Sequence, residues 1–298
     1  ASSVVTLAVL AATTEKVVPV IDRRLLVRIF AYSLPLLIGG VAGTANEFID
    51  RQMIKYLVPT GAMAQLGVYG AITKIAVVMT LFTQMYRLAA EPFFLSNFRK
   101  EEFVESNAAA LKYYVMVAMA IFLFIALFRD LFALILGRDF REGIFILPVV
   151  LGANVLSGVW FNLSFWYKRE EKTRFAIYVT FTGLLFTVVF NVALVPRWGY
   201  YGAAWARLIA EGAMVALSYA LNRRYFPTPY QTGRIATYVA AGLALFAASE
   251  LFARHAGAPT AVQYVVNVLL IGIYCLYAVW REHIDVRALA AAVVHRRR

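Results

Sequence analysis

The side chains best suited to chemistry are charged ones that interrupt long apolar stretches. In PLLIGGVAGTANEFIDRQMIKYL, Gly40, Thr44, Glu47 and Arg51 follow at steps of three or four, with Asp50 next to Arg51. Such steps place side chains on one helix face, and Glu47 before Arg51 at i,i+4 is the favourable order for an ion pair. In YGAITKIAVVMTLFTQMYRLAAEPFF, Thr73, Thr80, Gln84, Arg87 and Glu91 make a second stripe. In YGAAWARLIAEGAMVALSYAL, Arg207 and Glu211 repeat the i,i+4 pattern. Guanidinium groups present planar, paired donors to phosphate, and carboxylates within a membrane can carry Na⁺ or a proton. The chemistry on offer is therefore recognition of a charged solute and ion coupling. Candidate cavity residues are Arg51, Arg87, Gln84, Glu47 and Glu91, and candidate coupling carboxylates are Glu47, Asp50 and Glu91.

Each feature also has a plainer reading. Glu47 and Arg51 fit a structural ion pair near a helix end, and the second stripe fits helix-to-helix hydrogen bonding. Arg207 and Glu211 read as a structural ion pair, because Gly202, Ala206, Ala210 and Ala213 in the same stretch form a small-residue face for close packing. Asn154, Asn162 and Asn191 are interhelical amides by default, and Lys74 lies off the stripe, free to snorkel outward. Pro92 is expected to end or kink its helix. The single cysteine, Cys275, sits in an apolar run and fits a small buried residue.

Catalytic signals are missing. His255, His283 and His295 fall in loops or the tail, no phosphate loop of the G-x-x-x-x-G-K-[ST] type occurs, and no metal-ligand spacing is present. The expectation is a protein that is not an enzyme and needs no metal or cofactor.

The elements that must position these residues are membrane helices. The chain of 298 residues is 62% hydrophobic and 15% charged, with a mean hydropathy of +0.70. A soluble domain has roughly 45–50% apolar and about 25% charged residues. A span needs about 20 mainly apolar residues, and such stretches recur near 30–50, 68–93, 111–136, 145–167, 175–196, 201–223, 232–254 and 262–280. The predicted fold is all-α, a polytopic membrane helix bundle of about eight transmembrane helices. Residues 1–12 are apolar, too short to span and without a basic leader, and read as the remnant of a preceding helix. Residues 282–298 read as a basic amphipathic tail on the membrane surface.

The net charge of +12 sits in loops, a pattern of membrane orientation and not of nucleic-acid binding. Of the 29 Lys and Arg residues, 19 fall in residues 16–28, 99–112, 168–174, 223–234 and the C-terminus, 7 in the alternate loops, and 3 (Lys74, Arg87, Arg207) inside spans. The positive-inside rule puts the larger set, with the C-terminus, in the cytoplasm.

Four segments carry a resemblance: SLPLLIGGVAGTANEFIDRQMIKYL at 33–57, LGVYGAITKIAVVMTLFTQMYRLAAEPFF at 66–94, NLSFWYKREEKTRF at 162–175 and NVALVPRWGYYGAAWARLIAE at 191–211. Their order over residues 25–230 resembles the polysaccharide-transporter branch (O-antigen, Wzx-type flippases) of the multidrug/oligosaccharidyl-lipid/polysaccharide flippase superfamily. The resemblance implies one six-helix lobe of a two-lobed flippase at 25–230, two additional helices at 231–281 and a missing N-terminal lobe as partner. It also implies an undecaprenyl-diphosphate-linked oligosaccharide as substrate, with Arg51 and Arg87 where cationic cavity residues would fall. Membrane lipid is the other implied partner, and the bacterial inner membrane the implied location. A cation-coupled drug exporter of the same fold is an alternative. A membrane glycosyltransferase or polymerase is another, although the outer loops are short for a catalytic site.

The basic-loop pattern has a direct test. With Cys275 replaced and a single cysteine placed at position 170, an impermeant thiol reagent should fail to label intact cells, and labelling there would reverse the orientation.

Overall fold

Twelve helical elements, α and 3₁₀ together, account for nearly all of the described chain. The structure, a computed structural model, describes residues 5, 6, 9, 22–98, 102–255 and 259–283, the Glu47 side chain excepted. The expected remnant at 1–12 and the tail at 282–298 fall almost wholly outside these residues.

The first helix, α1 (Arg23–Leu57), starts where Asp22 Oδ1 accepts the backbone N–H groups of Arg24 at 2.8 Å and Leu25 at 3.4 Å, which satisfies two donors that a helix start leaves open. Then come α2 (Ala62–Ile75), α3 (Val77–Asn97), α4 (Phe103–Leu127) and the short α5 (Arg129–Ala133). A 3₁₀ segment (Arg138–Ile146) leads into α6 (Leu147–Leu163) and α7 (Phe165–Arg169). The chain closes with α8 (Arg174–Trp198), α9 (Tyr200–Tyr225), α10 (Thr232–His255) and α11 (Thr260–Glu282).

Six helical spans are long and apolar enough to cross a membrane, and α2 with α3 makes a seventh if the bent pair is one span. The remaining expected span, the sixth in the chain, is α9, which has the length but carries Arg207 and Glu211 mid-helix and Gly, Tyr and Trp in its first turns, and this takes it out of that group. It is instead enclosed between α6 and α8. The third span ends at Leu127, earlier than the expected 136, because the chain turns at Phe128 into α5.

Pro92, expected to end or kink its helix, does not end it. Pro92 lies inside α3, which runs on to Asn97, and the bend of 52° falls between α2 and α3 at Ala76. Threonines flank the break. The Thr73 hydroxyl donates to Gly70 O at 2.9 Å and the Thr80 hydroxyl to Ala76 O at 3.4 Å, so side chains compete for carbonyls on both sides of the break.

α1 packs along α8, α8 on α9, α9 on α6, α6 on α4, and α4 on α10 and α11, while α3 leans on α6. The α8–α9 corner depends on glycine. Gly199 has φ +55°, and the following Tyr200 N–H donates to Gln65 Oε1 at 3.1 Å. A Cβ at Gly202 would sit 2.6 Å from the Leu194 carbonyl. The expected small-residue face is confirmed, with Gly202, Ala206 and Ala210 buried and Ala213 half-buried.

The basic loops converge on one end of the bundle. Arg28 meets Glu171 at 2.7 Å, and the Arg169 guanidinium lies 4.8 Å from the Phe103 ring and 5.1 Å from that of Phe226. Lys112 pairs with Glu282, which also takes Arg234 at 3.4 Å and the Tyr238 hydroxyl at 2.6 Å. Each of these contacts except that of Tyr238 joins two of the five segments that the charge pattern grouped together.

Gly202→Leu should open the α8–α9 contact and cost on the order of 1–3 kcal/mol or more, the usual range for overpacking. A lower melting temperature in detergent is the expected readout. Gly70→Ala, inside α2 with nothing within 4 Å of the added Cβ, should not lower it and should raise it slightly.

Candidate functional site

Between α1 and α3 runs a groove whose floor is α6 and α9. Its first half, a cleft of about 490 Å³, is lined by Tyr32 to Asn46 of α1, Arg87 to Leu95 of α3, Ser157 to Phe161 of α6 with Ser164 just beyond it, Ala176 and Thr180 of α8, and Glu211 and Met214 of α9. The second half, about 300 Å³, takes the next turns of α1, α3, α6 and α9: Phe48 and Arg51, Val77 to Gln84, Val150 and Asn154, and Arg207. Because the lining residues advance together along these four helices, the two clefts are stacked halves of one groove. α1 keeps it open with Gly40 and Gly43, where an added Cβ would meet nothing within 4 Å, and packs against α8 at Gly39, where it would meet Ala176 Cβ at 3.3 Å.

In the half nearer the basic loops, the Arg87 guanidinium lies over the aromatic floor, 4.6 Å from the centre of the Phe161 ring. Lys168, from α7, stands 5.2 Å from the same ring and 5.3 Å from Phe165, and donates to Glu91 Oε1 at 2.8 Å. Two cations thus share one ring, an attraction that strengthens as water is excluded. Glu91 is half-exposed, which leaves the Lys168 pair weak and readily exchanged for another anion. Among the described residues, no carboxylate pairs with Arg87. Behind this floor, Asn162 donates to the Tyr86 hydroxyl at 2.6 Å and the Thr83 and Tyr114 hydroxyls lie 3.1 Å apart, which fixes α3 against α4 and α6.

The far half is a hydrogen-bonded network. Arg207 Nη2 donates to Asn154 Oδ1 at 3.4 Å, and Asn154 Nδ2 to Thr80 Oγ1 at 3.2 Å. Asp50, 1% exposed, accepts from Asn191 Nδ2 at 3.0 Å and from the Tyr69 hydroxyl at 3.3 Å. Asn191 Oδ1 is buried with no hydrogen-bond partner among the described residues. The Thr187 hydroxyl donates to Asn46 one turn away.

The structure therefore divides the expected stripe. Arg87 and Glu91 face the half beside the basic loops, whereas Thr73, Thr80 and Gln84 face the other, with Arg51. Gly40 and Thr44 line the first half, and the Glu47 side chain lies outside the described residues. Asp50 is buried behind the second half. Arg207 and Glu211, expected as a structural ion pair, form part of the wall, one in each half. Lys74 is on another flank, as expected, among Leu66, Gly67, Phe132 and Phe140. Sequence reasoning missed Lys168, which it counted with a basic loop; the aromatic run FWY before it, continuing the helical register from Phe161, was the available signal. It also left Asn154 and Asn191 as generic amides.

No family model matches the chain, and no curated protein matches it at a significant level.

A groove that holds water can be told from one filled by lipid. In a chain with Cys275 replaced, cysteines at Thr44 and Gln84 should react with a hydrophilic thiol reagent. One at Leu185, 60% exposed on the outer face of α8, should not. Equal reactivity at all three would mean that the groove is not a distinct aqueous path.

Proposed function

We propose that the chain forms one lobe of a flippase that moves an undecaprenyl-diphosphate-linked oligosaccharide across the bacterial inner membrane by alternating access, with the C-terminus in the cytoplasm. The observation that carries this reading is the placement of Arg87: a guanidinium seated on Phe161 in an open cleft, with no carboxylate paired to it among the described residues. A diphosphate entering low dielectric needs charged donors, and Arg51, Arg207, Arg87 and Lys168 provide them at successive levels of one groove. Tyr32, Trp160 and Tyr167 line the cleft beside Arg87 and supply flat apolar faces for sugar rings. The segment order noted at 33–57, 66–94, 162–175 and 191–211 supports the same reading, as does the convergence of the basic segments on one end. The flank between α1 and α3 is open, and a second lobe would close it into a cavity.

A cation-coupled exporter of the same architecture is the second reading. What favours it is the buried Asp50 carboxylate, bonded to Asn191 Nδ2, with Asn191 Oδ1 buried and without a hydrogen-bond partner among the described residues, acceptors of the kind that Na⁺ or a proton needs. The two readings differ in what the groove carries.

The test is complementation of a strain lacking its own lipid-linked oligosaccharide flippase, with the companion lobe co-expressed. Arg87→Ala should cut surface polysaccharide about ten- to a hundredfold, the loss expected for a charge-assisted contact of roughly 1.5–3 kcal/mol, while the protein still inserts. Arg87→Lys should restore it only in part, because an ammonium lacks the planar fork. Normal polysaccharide from Arg87→Ala at normal protein level would remove Arg87 from the substrate site. Resistance to cationic drugs, lost in Asp50→Asn, would favour the exporter.

A further inference from the structure

The helices that floor the groove have a second working face. α6 and α9 turn Gly152, Leu156, Trp205 and Leu208 toward α4 and α10, and there a side opening of about 630 Å³ runs between Met119 and Phe246. Its walls are almost wholly apolar, and its charges are gathered in Arg129, Glu250 and Arg254. Arg129 meets Glu250 Oε1 at 2.9 Å and lies 5.5 Å from the Phe145 ring. These charges lie at the end of the bundle away from the basic loops, since Arg129 opens α5 just after α4 and Arg254 lies in the last turn of α10.

We infer that this groove is a binding site for an anionic phospholipid, with one acyl chain between α4, α9 and α10 and its phosphate at Arg129 and Arg254. Three observations converge. The slot is apolar along its length, so in a bilayer a hydrocarbon chain fills it at no cost in unpaired polar groups. The rim carries two guanidinium groups against one carboxylate, which leaves a net positive charge facing the membrane. Glu250 takes only one edge of the Arg129 fork, leaving donors over, and Arg254 is exposed and makes no ion pair among the described residues. Glu250 and Arg254 are one turn apart on α10, so both face the same slot. Trp205, 44% exposed in the first turns of α9, lines it too and suits the headgroup boundary, where one side of an indole is wet. A zwitterionic lipid would fill the slot equally well but would bring a choline cation toward the same rim.

The full chain, purified in mild detergent, is offered equal amounts of phosphatidylglycerol and phosphatidylcholine with the same acyl chains, and retained lipid is counted by native mass spectrometry. Phosphatidylglycerol should be retained about fivefold over phosphatidylcholine. Arg254→Gln, and separately the charge-balanced pair Arg129→Gln with Glu250→Gln, should each reduce that preference while leaving lipid bound. Leu243→Trp, which fills the slot from an exposed position on α10, should reduce retention of both lipids. Millimolar inorganic phosphate should not displace the lipid. Equal retention of the two lipids, a preference unchanged in both charge variants, or retention unchanged by Leu243→Trp in protein with the wild-type melting curve would overturn the assignment.

Discussion

An arginine in hydrocarbon must be solvated by something, and the layout of the helices follows from what that is for Arg51, Arg87 and Arg207. Placed in lipid at mid-helix, each would cost roughly 2.5–3.5 kcal/mol on insertion scales. None faces lipid alone. Arg87 lies on Phe161, Arg207 reaches Asn154, and Arg51 lines the same wall as Gln84 and Thr80. A common polar surface serves all three. α1, α3, α6 and α9 make that surface by turning their polar residues inward at matching heights. The glycines of α1 and the bend at Ala76 then become parts of the same solution, because a bulky α1 would fill the groove and a straight α2–α3 would not bring both ends of the stripe to it.

The ends and middles of the bundle are held by different forces. Water does not drive helices together inside a bilayer, so association rests on close packing and on polar clamps. Close packing is the α8–α9 device, with Gly202 against the Leu194 backbone. Polar clamps hold the α10–α11 hairpin: Glu282 gathers Lys112, Arg234 and Tyr238 at one end, and at the other Asn267 Nδ2 donates to Leu127 O at 2.7 Å while Ser249 donates to Asn267 Oδ1 at 2.7 Å. Between the clamps, Leu243 and Phe246 flank an apolar slot. The hairpin can therefore stay attached while the middle of its face remains open to lipid.

Much of this was legible in the sequence because apolar runs and i,i+4 steps are local. The helix positions, the grouping of basic loops at one end, and the sharing of a face by Arg87 and Glu91 all follow from neighbours in the chain. Three things do not. Proline marks a break in the sequence by itself, so the sequence points to Pro92, whereas the bend lies at Ala76, flanked by Thr73 and Thr80 hydroxyls that bond backbone carbonyls and leave no comparable mark in the sequence. Asp50 meets Asn191 across 141 positions, and no local pattern marks that pairing. Lys168 belongs to the wall because α7 continues from α6 after a single turn at Ser164, a detail of register that a charge count cannot show.

The split of the stripe matters most for mechanism. Had Thr73 to Glu91 lined one cavity, a single bound anion would meet every polar group together. With the two halves stacked, an anion held at Arg87 and Lys168 would be a different bound state from one held at Arg51 and Arg207, and passage between them would be a step along the groove. Glu211 stands in the first half and the buried Asp50 behind the second, so each cation level has a carboxylate near it. A carboxylate beside a guanidinium lowers the field on an arriving phosphate and keeps binding weak enough to release. On the proposed flippase reading, the placement of these acids at both levels suits a surface over which a charged headgroup travels, and Lys168, held by the half-exposed Glu91, is the cation most readily lent to it.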